Sequence, residues 1–290
     1  MGFFFRRRPV VPVIRLTGPI GMATPLRPGL SLATISEALD KAFTTSKIPA
    51  VAVLINSPGG SPVQSNLIFQ RLRQLGREHK KKIYVFCEDV AASGGYFLAV
   101  AGDEIYADPS SIVGSIGVIS AGFGFDRAID KLGIDRRVYT SGLSKSTLDP
   151  FLPEKPDDVE RLKAVQRDVH DVFIGIVKDR RASRLKGQDA ELFSGAFWSA
   201  ARALDLGLID GIADVRTKMR ELFGDKVTLR LIPTAKAGLL SRFRRLPGID
   251  GSIQPLVGSL ADLPGIAFGA GLPENVIAAE IGRASCRERV

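Results

Sequence analysis

The sequence predicts an α/β fold with a largely parallel sheet, and three observations carry that prediction. Ala50 to Asn56 (AVAVLIN) is an unbroken apolar run of strand length, the pattern of a strand buried on both faces. Strand-like segments alternate with segments whose apolar residues recur at helical spacing. Two of the strands stop abruptly at glycine-rich turns, SPGGSP and AASGG, from which helices set off.

Each element follows in order. Val10 to Leu16 predicts the first strand, and Ser31 to Phe43 a helix with Leu32, Ile35 and Leu39 on one face. After AVAVLIN, Ser61 suits an N-cap, Pro62 the first helical position, and Gln64 completes a capping box with Ser61. That helix continues through Leu67, Ile68, Leu72 and Leu75. Lys82 to Glu88 (KIYVFCE) is the next strand, followed by AASGG and a helix through Tyr96, Leu98 and Val100. Glu104 to Ala107 is a short strand, Ile112 to Ser120 an apolar stretch with glycines, and Arg137 to Thr140 a further strand. A long helix begins near Asp157, with Val159, Leu162, Val165, Val169, Val172, Phe173 and Ile176 on its apolar side. Leu204 to Ile209 leads out of another helix, and Val227 to Ile232 closes the sheet.

This pattern divides the chain into a flexible N-terminus (1–9), a folded domain (10–232) and a loosely organised Gly- and Pro-rich tail (233–290). The ending RASCRERV, from Arg283, changes character abruptly, and the last ~8 residues are expected to be non-native.

With 290 residues, 45% hydrophobic and 24% charged, the chain can bury a substantial core, which excludes disorder and collagen-like repeats. The two cysteines, Cys87 and Cys286, make no disulfide framework, so a reducing, cytoplasmic setting is expected. No stretch approaches the roughly 18 apolar residues of a membrane-spanning helix. Phe3, Phe4 and Phe5 followed by Arg6, Arg7 and Arg8 would suit peripheral contact with the inner membrane, or else form a solvated end. The net charge of +9 is dispersed, and Lys80 to Lys82 carry no interleaved aromatics, so no nucleic-acid partner is expected. Neither a metal nor a cofactor is expected.

The two turns carry the chemistry. Open α/β sheets place their sites at the carboxyl ends of strands, where NSPGG (Asn56 to Gly60) and AASGG (Ala91 to Gly95) both fall. An acyl-transfer site needs a nucleophile, oxyanion donors and a base. Ser93 would lie at a helix start, where N–H groups favour developing negative charge; Gly94 and Gly59 or Gly60 would be the natural donors. Small residues around Ser93 would let a peptide backbone approach, although such residues also arise from tight packing alone.

A base is harder to find. His79 lies in the charged run REHKKK, and His170 among Arg167, Asp168 and Asp171 on the polar side of the long helix. Neither stands in a loop at a strand end, so a Ser-His-Asp triad is not expected. A lysine could serve if burial lowered its pKa. Lys145, in YTSGLSKSTLDPF after the Arg137 to Thr140 strand, differs from the other lysines in its small polar surroundings.

In chain order, INSPGG, DVAASGGYFLA, SSIVGSIGV and YTSGLSKS resemble the serine peptidases of the signal peptide peptidase A family. The likeness runs from about Val10 to Val215 and includes SGAFWSAARALDLGLIDGIAD, Ser194 to Asp214. It implies a crotonase/Clp-like fold of ββα repeats around a largely parallel sheet. It also implies a Ser-Lys dyad, with Ser93 as nucleophile, Lys145 as general base, Ser115 orienting the lysine, and Gly59 or Gly60 with Gly94 as the oxyanion hole. The arginine of the family's G-R-V segment is replaced, since the chain reads Gly195, Ala196, Phe197. The expected substrates are extended apolar peptides, such as signal-peptide remnants or membrane-protein segments. The expected assembly is a homo-oligomer with active sites near protomer interfaces, where a neighbour can supply the lysine. The alternative is a non-proteolytic crotonase-like protein that binds or hydrolyses acyl-CoA, although neither glycine turn carries the carboxylate such hydratases use.

Overall fold

The computed structural model describes residues 8–21, 29–142 and 144–234. The opening segment with Phe3 to Arg8 lies outside these residues except for Arg8, as does the tail from residue 235 onward. In chain order the elements are β1 (Val10–Thr17), α1 (Leu32–Thr44), β2 (Ala50–Ser57), α2 (Pro62–Glu78), β3 (Lys82–Ala92), α3 (Gly94–Ala99), β4 (Glu104–Ala107) and β5 (Ile112–Gly114). There follow α4 (Asp126–Lys131), α5 (Pro156–Arg181), a 3-10 turn (Ala182–Arg184), α6 (Asp189–Leu192), β6 (Phe197–Ser199), α7 (Ala200–Asp205), β7 (Gly211–Ile212), α8 (Val215–Phe223) and β8 (Thr228–Ile232).

Among the described residues, eight strands join one sheet, ordered β6-β5-β3-β2-β1-β8, with β4 pairing β3 and β7. Every pairing is parallel except β5 with β6. This is the mixed α/β architecture with a mostly parallel sheet that the apolar runs predict. The AVAVLIN strand explains why: Val51, Val53 and Ile55 enter one apolar cluster, while Ala50, Ala52 and Leu54 enter a second on the opposite face. Alternating side chains must both find apolar partners when helices cover both faces of a parallel sheet.

The chain separates into two compact units. Among the described residues the first comprises 8–118 and 164–234, and the second 119–163. The sheet belongs to the first. In the second, the Phe125 and Phe151 rings stack 5.5 Å apart, Arg136 lies over Phe151, and its guanidinium pairs with Asp149 at 2.7 Å. Much of this unit's apolar surface faces solvent: Ile119, Phe123, Leu132, Ile134 and Tyr139 are all more than half exposed.

Several local expectations need correction. Arg137 to Thr140 is irregular and exposed, because among the described residues no neighbouring strand offers it hydrogen bonds. Ser61 does cap α2, accepting the Gln64 N–H at 3.4 Å, but the Gln64 side chain does not return the bond. Its Oε1 instead accepts the Leu32 N–H at 3.0 Å, capping α1 from another element. The reciprocal capping box stands at the start of α1, between Ser31 and Thr34. On α5, Phe173 and Val177 are buried while Val165 and Val172 stay about half exposed, so only part of its apolar stripe is covered.

Candidate active site

The carboxyl ends of β1, β2 and β3 bring three loops together. Past Asn56 the β2–β3 register jumps, from Ile55 opposite Cys87 to Ser57 opposite Ala91. The extra β3 residues bulge outward, and Asn56 holds them: its Nδ2 donates to Asp89 at 2.5 Å and its Oδ1 accepts the Val90 N–H at 3.3 Å. The bulge re-aims the chain, so that Ser93 emerges at the end of the sheet.

Ser93 adopts φ 51° and ψ −122°, a conformation that costs a non-glycine residue about 1–3 kcal/mol. Surrounding contacts impose it. The Ser93 N–H donates to the Gly114 carbonyl at 2.8 Å, and its carbonyl accepts the Phe97 N–H at 2.9 Å. The short helix α3 is anchored in turn by Tyr96, whose buried hydroxyl donates to the Leu208 carbonyl at 2.7 Å, and by Phe97 packed 4.8 Å from Phe173. The Ser93 side chain makes no capping bond to its own helix, which leaves its hydroxyl uncommitted there.

Gly59 closes against this serine. A Cβ on Gly59 would stand 2.8 Å from the Ser93 Cβ and 2.7 Å from the Gly94 nitrogen, and its φ is +104°. The next residue, Gly60, pairs with Ile20: Ile20 donates to the Gly59 carbonyl and accepts from Ser61, both at 2.8 Å. A trans peptide sets N–H and C=O on opposite sides, so the Gly60 N–H points away from Ile20. The Gly59 N–H is taken by the Ser57 hydroxyl at 3.2 Å. Among the described residues, the Gly60 and Gly94 N–H groups have no protein acceptor.

The small residues beside Ser93 have a different reason from the expected one. A Cβ on Gly94 would meet the Ser65 Oγ at 2.6 Å, and a Cβ on Gly95 the Ser57 carbonyl oxygen at 2.3 Å. Ala91 is fully buried. Their space is filled by the protein itself, not kept open for a substrate backbone.

Ser115 follows Gly114, the residue bonded to Ser93. It too has a positive φ, 53°, and its N–H donates to the Ala196 carbonyl at 2.7 Å. The altered Gly195-Ala196-Phe197 segment therefore still supports this loop through its backbone. His79 is exposed, capping α2. His170 is not free on a polar face: it is half-buried, with Nε2 3.0 Å from the Ile116 carbonyl. Lys145 belongs to the second unit, in an exposed turn where its N–H donates to the Gly142 carbonyl at 3.3 Å.

Sequence reasoning singled out Ser93, Gly59, Gly60, Gly94 and Ser115, which the structure brings to one end of the first unit. It overlooked Ser57 and the Gly18–Ile20 wall. A serine directly after an unbroken apolar strand, and a Gly-Pro pair after β1, were the available signals.

The model of Peptidase family S49 matches residues 76–226. A Brucella abortus (strain 2308) protein named as the sodium/proton antiporter NhaA is 57% identical over 84% of this chain and 33% of its own length. A Synechocystis sp. protein provisionally named a protease is 32% identical over 85% of this chain and 86% of its own. Protease 4 of Haemophilus influenzae is 33% identical over 62% of this chain and 29% of its own. The chain spans about a third of the length of the first of these relatives. The antiporter name belongs to a protein of which the matched segment is a minor part, and no described helix here is long and apolar enough to cross a membrane.

Proposed function

The chain belongs to Peptidase family S49, and from that premise we propose that it is a serine endopeptidase with Ser93 as nucleophile and Lys145 as general base. The observation that carries the reading is the strained Ser93 set beside two unengaged N–H groups, of Gly94 and Gly60. Gly59 is not a donor in this reading, because its N–H is already held by Ser57.

Lys145 takes the Ser93 hydroxyl proton as the oxygen attacks a peptide carbonyl. The carbonyl oxygen becomes an oxyanion held by the Gly60 and Gly94 N–H groups. The tetrahedral species collapses, the leaving amine departs with the proton from the lysine, and an ester remains on Ser93. Water, deprotonated by the same lysine, attacks that ester, and the lysine returns the proton to the Ser93 oxygen as the acid product leaves. Ser115 orients the lysine ammonium.

A lysine works as a base near neutral pH only when water is stripped from it. Lys145 is exposed within one chain, and the unit that carries it presents exposed apolar residues. A homo-oligomer in which a neighbouring protomer covers this face would bury Lys145 and place it at a Ser93, in the same or the adjacent chain. Extended apolar peptides, from signal-peptide remnants or membrane proteins, are the substrates this reading carries over from the family.

The test uses the full chain and an unstructured apolar peptide. Ser93→Ala and Lys145→Ala should each lower kcat by about 1,000-fold or more. Variants that cleave as fast as wild type would remove the assignment. Mixing the two variants should regain activity if the lysine acts across protomers, and stay inactive if it acts within one.

A further inference from the structure

Ser57 of the NSPGG motif is a polar side chain to which peptide hydrolysis assigns no task. Ser57 is fully buried at the end of β2. Its hydroxyl donates to the Gly18 carbonyl at 2.8 Å and accepts the Gly59 N–H at 3.2 Å. Its own carbonyl oxygen lies where a Cβ of Gly95 would be, 2.3 Å from that point. One buried serine thus touches the loop after β1, the glycine turn and the first turn of α3.

Gly59 has two clamps. Ile20 holds its carbonyl, which sets the 59–60 peptide plane; Ser57 holds its N–H, which sets the 58–59 plane. Pro58 has no N–H to offer, so the Ser57 hydroxyl is the bond that ties the turn back to β2. Gly59 stands at φ +104°, and a glycine crosses between backbone wells with little penalty, so these bonds are what fix it. Rotation there would carry the Gly60 N–H with it.

We propose that Ser57 is a positioning residue: its buried hydroxyl fixes the 58–59 peptide plane and, with Ile20 fixing the 59–60 plane, denies Gly59 the rotation that would carry the Gly60 N–H away from Ser93. This rests on the reading of Ser93 as nucleophile. An oxyanion donor contributes through preorganisation, and removal of one donor outright lowers kcat by about 100- to 1,000-fold. Loosening a donor should fall somewhat below that range.

The experiment compares Ser57→Ala and Ser57→Cys with wild type in the full chain. Cysteine keeps an atom, though a larger one, where the hydroxyl stood but is a weak donor and acceptor, so together with alanine it separates the hydrogen bond from the space it occupies. Readouts are kcat and KM on an unstructured apolar peptide, the pH–rate profile, and the folded fraction at assay temperature. Both variants should lose about 10- to 100-fold in kcat per folded molecule. KM should change less than about threefold and the pH profile keep its shape, since uniform binding and the proton-transfer groups are untouched. Ser57→Cys should stay closer to wild type in melting temperature than Ser57→Ala. The proposal is overturned if kcat per folded molecule stays within about twofold of wild type in both variants, or if the loss appears in KM alone. Ser93→Ala, run alongside, separates the two claims: if it is as active as wild type, the nucleophile assignment has failed; if it is inactive while the Ser57 variants are normal, only the positioning role has.

Discussion

Gly59 and Ser93 come from different loops, yet no side chain could be inserted between them. A Cβ on Gly59 would stand 2.8 Å from the Ser93 Cβ, closer than such atoms approach in folded proteins. The glycine turn is therefore part of the wall that holds the serine in its strained backbone conformation.

Gly59→Ala should lower stability by about 1–3 kcal/mol and kcat together, because a left-handed φ and a steric clash act at one point. Gly224→Ala is the control. Gly224 has φ +84° with nothing within 4 Å of the added methyl, so it should lower the melting temperature and leave kcat alone. Thermal melts and peptide cleavage read both; equal kcat in the two variants would refute the wall.

Asp103 makes stability depend on acid. Burial by itself would raise its carboxyl pKa, but the Ile83 N–H at 2.9 Å, Arg73 at 2.7 Å and Arg180 at 3.3 Å outweigh burial and hold it below the usual carboxylate range. A depressed folded pKa gives stability that is present above the unfolded value of about 3.9 and lost as pH falls below it. Urea midpoints should fall steeply between roughly pH 5 and pH 2 in wild type and more shallowly in Asp103→Asn, which starts lower at neutral pH.

Cys87 is buried in the main core, and burial pushes its thiol up to about 12. Thiolate is the reactive form, so iodoacetamide at pH 8 should leave Cys87 unmodified in the native protein and label it after unfolding. Peptide mass mapping distinguishes it from Cys286, which lies outside the described residues. Rapid native labelling of Cys87 would contradict the core placement.

Phe123 and Tyr139 are 80% and 92% exposed in the second unit. If neighbouring protomers cover them, Phe123→Ser with Tyr139→Ser should lower the sedimenting mass and reduce cleavage in parallel. Unchanged mass would place the protomer contact elsewhere.

Much of the first unit was legible because its signals are local. An apolar run without alternation means two covered faces, and β2 delivers residues to both clusters. A serine before a proline and a helical repeat means a capped helix, and Ser61 caps α2. The readings that failed needed information from a distant segment. Gln64 serves α1 instead of its own N-terminus, because the Leu32 N–H comes within 3.0 Å of it. Arg137 to Thr140 has strand-forming residues but, among the described residues, no strand beside it.

The order of strands and helices, the two glycine turns at strand ends and the small residues around Ser93 were determined by the sequence alone, since each depends on residues within a few positions of one another. Only the tertiary structure decided why those residues are small and which donors are free. Gly94 and Gly95 make room for Ser65 and Ser57, and the Gly59 N–H is already used while that of Gly60 is not. Those facts arise where three loops, remote in sequence, share the ends of adjacent strands. Close packing there decides which backbone groups are paired and which, like the Gly60 and Gly94 N–H, are left without a protein acceptor, and no local pattern encodes that choice.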